Sequence, residues 1–97
     1  MIIRIVRMHF KAENVEAFLK IFEENKEAIR HFPGCTHLEL LKDASHENVF
    51  TTLSHWNEAS DLEEYRKSAF FKGVWAQVKV LFSENPQAFS LEKFIEL

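Results

Sequence analysis

The 97-residue chain holds two glycines, two prolines, one cysteine and one tyrosine. Gly34 and Gly73 stand far apart. No glycine-rich loop can therefore cradle a phosphate or a dinucleotide, which removes nucleotide-dependent kinases and Rossmann dehydrogenases. The lone Cys35 leaves no internal disulfide and no Cys-rich zinc cage. A basic excess is missing too: Lys plus Arg total 12 against 15 Asp plus Glu, a net charge of -3. Phosphate neutralisation supplies most of the affinity of a nucleic-acid binder, so no nucleic-acid partner is expected. No apolar run approaches the roughly 20 residues of a membrane span. The opening residues Met1 to Arg7 alternate too closely with charge to form a signal-peptide core. The expected setting is a reducing cytoplasm, with no membrane partner.

What is abundant is aromatic and aliphatic material: ten Phe, with 46% hydrophobic residues overall. The length and composition fit one globular domain over residues 1–97. Residues 2–10 are rich in Ile, Val, Met and Phe and read as a strand. Asn14 stands where a helix N-cap belongs, and Val15, Phe18, Leu19, Phe22 and Ile29 follow at helical spacing. Pro33-Gly34 stops that helix. Residues 35–42 and 48–56 read as two strands joined by the polar turn 43–47. Asn57 and Ser68 are placed to cap two short helices, the second carrying Phe71, Val74, Trp75, Val78 and Phe82 on one face. Residues 88–95 read as a last strand. The order is β-α-β-β-α-β with the second helix broken: an α+β, ferredoxin-like antiparallel sheet.

An antiparallel sheet with one wet face alternates apolar and polar residues. Here the first strand is apolar at both parities, with Ile2, Val6, Met8 and Phe10 on one and Ile3 and Ile5 on the other. The third and last strands are mixed in the same way. Helices can cover one face; a second copy of the chain, packed sheet to sheet, is the simplest cover for the other.

Chemistry-bearing residues are few. His31 and His46 read as a helix-end and a turn residue. His37 and Glu39 share one strand face, but without a third ligand at a recognisable spacing they do not make a metal site. His9 and His55 fall near the ends of strands expected to be neighbours, where they could approach each other, and a His there can serve as acid or base near neutral pH. Cys35 lacks the partner that makes a thiolate nucleophile and reads as a packing residue. The aromatic group Trp56, Tyr65, Phe70, Phe71 and Trp75 has two readings. It walls a cavity for a flat apolar ligand, or it is dry core.

The strand-one start, His31-Phe32-Pro33-Gly34-Cys35, the segment Leu38 to Asp43, the strand end at Trp56 and the stretch on to Ser68-Ala69-Phe70-Phe71 resemble the antibiotic biosynthesis monooxygenase (ABM) family. The resemblance implies a ferredoxin-like chain forming a dimeric α+β barrel. It also implies oxidation of a small quinol- or anthrone-like aromatic by molecular oxygen, without metal or organic cofactor. In that reading Trp56, Phe70, Phe71 and Trp75 line the substrate cavity, Tyr65 donates a hydrogen bond to a substrate oxygen, and His9 or His37 is the base. Two histidines that quinol-oxidising relatives often carry are replaced here, at Tyr65 and within Ala69-Phe70-Phe71. The haem-degrading branch uses a Trp, a His on the following helix and an Asn on the first strand. This chain has Trp56, but Trp75 in place of the His, and no Asn on the first strand. A non-catalytic dimeric binding domain of the same fold is the alternative. A dimer at micromolar concentration is the expected result of light scattering, and a persistent monomer would overturn the two-covered-faces argument.

Overall fold

The computed structural model describes residues 1–97. Strand β1 (Ile2–His9) leads through a single 3-10 turn into helix α1 (Val15–Arg30). Strands β2 (Cys35–Lys42) and β3 (Val49–Trp56) form a hairpin, helices α2 (Ala59–Lys67) and α3 (Ala69–Lys79) follow, and β4 (Gln87–Leu91) closes the chain's regular structure. The sheet runs β2-β3-β1-β4 with every neighbouring pair antiparallel. This is the expected α+β ferredoxin-like arrangement.

Local chemistry explains most boundaries. Asn14 does precede α1, yet its amide donates to the Leu81 carbonyl at 3.3 Å instead of capping the helix. The cap of α2 is Glu58, not Asn57, and it forms a reciprocal capping box with Asp61. The Asn57 backbone N–H donates to the Gly34 carbonyl at 2.8 Å, and the cap falls one residue later. Ser68 ends α2 and starts α3, with its hydroxyl donating to Tyr65 O at 2.6 Å and accepting from Phe71 N at 3.0 Å. Its extended backbone (φ -66°, ψ 148°) turns the chain at one residue. In the hairpin turn, the Asp43 carboxylate accepts from the backbone N–H groups of Ser45 and His46, which holds its pKa below the ordinary value. Strand β4 is shorter than the expected 88–95, and α3 stops before Phe82.

An irregularity in the β2–β3 register reverses part of a face. Cys35 pairs with Trp56 and His37 with His55, so Thr36 is the extra residue of a bulge. Cys35 consequently packs inward against Trp56 and Leu62, while His37 points to the other side.

The core is split in two. One cluster gathers Met8, Phe10, Phe18, Phe50 and Val78, with the Phe10 and Phe18 rings stacked at 4.2 Å. The other gathers Cys35, Trp56 and Leu62, with Phe32 and Tyr65 packed against it. Both lie on the helix-covered face. On the opposite face lie Ile3, Ile5 and Leu53, half-buried, and Leu41, Phe89 and Leu91, which are 42%, 50% and 47% exposed. No helix is long and apolar enough to cross a membrane.

The two glycines test the local reading. Gly34 has φ +89°, and a Cβ there would stand 2.3 Å from Asp61 Cβ, inside the capping box of α2. Gly73 lies within α3 with open space around its missing Cβ. Gly34→Ala should cost about 1–3 kcal/mol in urea unfolding, whereas Gly73→Ala should stabilise by about 0.5–1 kcal/mol.

Candidate functional site

The gap between the two clusters is a cavity of about 290 Å³, enclosed by the sheet, α1 and the broken helix pair. Met8, Phe18 and Val78 reach it from one cluster, Trp56 and Leu62 from the other. The even-numbered positions of the strands form its floor, because alternate strand residues share a face. The break at Ser68 makes the roof concave. Tyr65 on α2 and Phe71 on α3 meet edge to face at 5.0 Å, and Phe71 stacks on Trp75 at 5.8 Å. A single straight helix could not bring these rings round one space.

Trp56 is 1% exposed and donates its indole N–H to Ser54 Oγ at 3.0 Å, so its polar atom is satisfied and its ring acts as wall. Tyr65 lies 4.9 Å from Trp56, ring to ring. Its hydroxyl makes no hydrogen bond to the protein and stays available to a ligand. Burial, and then the neighbouring Cys35, push the Tyr65 pKa far above the ordinary value of 10.0. Tyr65 is therefore a hydrogen-bond donor at neutral pH and not a base. The other polar groups around the cavity are Arg4, Asn25, Thr52, Ser54 and Arg66.

Of the residues singled out from sequence, Trp56, Tyr65, Phe71 and Trp75 line this cavity together. Phe70 does not: it packs against Phe32 at 6.5 Å and supports Tyr65 from behind. His9 and His37 stand on the other face of the sheet. His9 meets Glu84 at 2.7 Å, and His37 meets Glu39 at 3.1 Å. His9 and His55 do not approach each other, because β1 and β3 are antiparallel and His9 pairs with Val49 while His55 pairs with Ile3. His55 instead lies 4.8 Å from His37, ring to ring. Burial, then His37 and Lys93, lower its pKa. Cys35 is buried with a raised pKa, the behaviour of an inert packing thiol.

No His, Asp or Glu lines the cavity. A haem would find no imidazole among the lining residues, and the donor set does not fit that group. Nowhere do three His, Cys, Asp or Glu side chains gather as a metal would require. Sequence reading passed over Arg4 and Arg66. The signal for Arg4 was present: it is the one charge on the inward parity of β1, between Ile2 and Val6.

Tyr65 is the only tyrosine, so its titration can be followed alone. Its folded-state pKa lies above that of the unfolded chain. The stability it contributes is thus complete below the unfolded value and is lost as pH rises past it. Phenolate absorbance should stay absent well above pH 10.0 and then appear together with unfolding. A reversible titration near the ordinary value in the folded protein would contradict the burial described.

Comparison with known proteins follows the same lines. A family model described as "Antibiotic biosynthesis monooxygenase" matches residues 1–76. Comparison with curated proteins gives no match. Among solved structures, one described as an antibiotic biosynthesis monooxygenase superposes with a TM-score of 0.91 at 17% identity, covering 98% of this chain and 100% of the other. A conserved protein from Methanosarcina mazei Go1 gives 0.90 at 19%, covering 97% and 94%. A Mycobacterium tuberculosis protein, Rv0793, gives 0.89 at 19%, covering 98% and 96%. At such identities the structural likeness speaks for the fold alone, and the family model, spanning most of the chain, carries the assignment: the protein belongs to the antibiotic biosynthesis monooxygenase family.

Proposed function

We propose that the chain binds a small quinol- or anthrone-like aromatic in the cavity and oxidises it with molecular oxygen, using no metal or organic cofactor. The observation that carries this is the cavity itself. It is walled by Trp56, Phe71 and Trp75 and offers, at Tyr65, an unengaged hydroxyl that keeps its proton. A volume of about 290 Å³ is at the small end of ligand pockets, which suits a few fused rings. An electron-rich phenol, once deprotonated, can itself pass an electron to oxygen. Tyr65 donating to the substrate oxygen favours the anion, and the apolar walls shield it from water. For an anthrone the balance closes on the substrate: the ring CH2 loses both hydrogens, one oxygen atom becomes the new carbonyl, and the other leaves as water. With no carboxylate or imidazole in the cavity, the first proton goes to solvent.

A second copy of the chain over the outer face completes the reading. The exposed Leu41, Phe89 and Leu91 support that cover, a sheet-to-sheet homodimer. The cytoplasm remains the inferred compartment.

The lack of a base among the cavity residues favours one other reading, a binding domain that keeps the scaffold without turnover. Incubating quinols and anthrones with and without oxygen separates the two. Oxygen-dependent product, labelled from isotopic oxygen and reduced roughly 10–100-fold by Tyr65→Phe, is expected for the enzyme. Equal product with and without oxygen, or binding with no turnover of any substrate, would overturn it.

A further inference from the structure

Arg4 is an inward-facing charge on a strand whose other inward residues are apolar. Withdrawing a guanidinium from water costs free energy unless an anion or several hydrogen bonds replace its hydration. Of its five N–H donors one is engaged, Nη1 to Ser90 Oγ at 2.9 Å, and no carboxylate forms a salt bridge with it. Arg66, in the last turn of α2, lines the same cavity from its solvent side. Its partner Glu63 lies on its own helix at 3.7 Å, beyond hydrogen-bond range. The two cations also act on each other: burial and then the charge of Arg66 lower the pKa of Arg4, and Glu63 opposes that shift in part. Two guanidinium groups thus meet at an apolar cavity with one carboxylate, Glu63, near both, so the group keeps a net positive charge.

We propose that the ligand is an aromatic carboxylate, with its rings against Trp56, Phe71 and Trp75 and its carboxylate gripped by Arg4 and Arg66. This rests on the reading of the cavity as an aromatic-molecule site and narrows its substrate class. The planar guanidinium fork matches a carboxylate with two parallel hydrogen bonds, and the low-dielectric wall strengthens them.

The chain's two tryptophans both line the cavity, so their fluorescence reports occupancy. Two probes of equal shape, 2-naphthoate and its neutral amide 2-naphthamide, are titrated into the full chain at neutral pH and low salt. The acid should bind about tenfold or more tighter than the amide. Arg4→Gln and Arg66→Gln should each shrink that ratio, and the double variant should bring it near unity, with the affinity for the amide moving less than about twofold. The Arg66 side chain is about half exposed, so Arg66→Gln keeps the test decisive if Arg4→Gln folds poorly. Equal affinities in the wild type, an undiminished preference for the acid in Arg66→Gln, or a preference that survives in the double variant would overturn the charge assignment and leave the aromatic cavity standing. If neither probe binds, the aromatic-cavity reading fails and this proposal fails with it.

Discussion

The burial of Trp56 is the contact on which the other parts converge. It ends β3, pairs across the bulge with Cys35, meets Phe32 edge-on at 6.5 Å and lies 4.9 Å from Tyr65. Removing such a side chain from a core typically costs about 3–5 kcal/mol, a large share of the roughly 5–15 kcal/mol that holds a domain together. The same indole is a cavity wall. Stability of this corner and shape of the site are therefore one property. The Phe10–Phe18 cluster at the far end joins α1 to the sheet, and the space left between the two clusters is what a ligand can occupy.

Much of this was legible in the sequence because it rests on period and punctuation. The breaker-free apolar run of β1, helical spacing after Asn14, the stop at Pro33-Gly34 and the cap at Ser68 are local signals, and each falls where the structure has it. Asn14 and Asn57 show the limit: a tertiary partner, Leu81, takes the Asn14 amide, and beside Asn57 the cap passes to Glu58, which pairs with Asp61 in a capping box. The histidines show a different limit. Which face His37 occupies depends on the Thr36 bulge, and one residue of register moves a side chain across the sheet. No local pattern announces a bulge. Phe70 and Phe71 are neighbours in a helix, and only the fold decides that the second faces the cavity while the first props Tyr65.

The two faces of the sheet carry different chemistry. The helix side is apolar with two guanidinium groups and a protonated phenol, and holds no group that accepts a proton near neutral pH. The outer side holds the imidazoles of His9, His37 and His55, with carboxylates beside the first two. The imidazoles thus belong to one surface and enclosure of aromatic rings to the other, with the sheet's thickness between them.

Ser68 joins α2 and α3 through one extended residue, and the two helices bring different things to the cavity: Tyr65 and Arg66 from one, Phe71, Val74 and Trp75 from the other. Polar groups and apolar wall thereby come from separate helices with a fixed joint. Exchanging the inward residues of α3 would reshape the space while leaving Tyr65 and Arg66 in place. The volume and outline of the cavity can therefore change in small steps, each leaving the sheet and α2 intact.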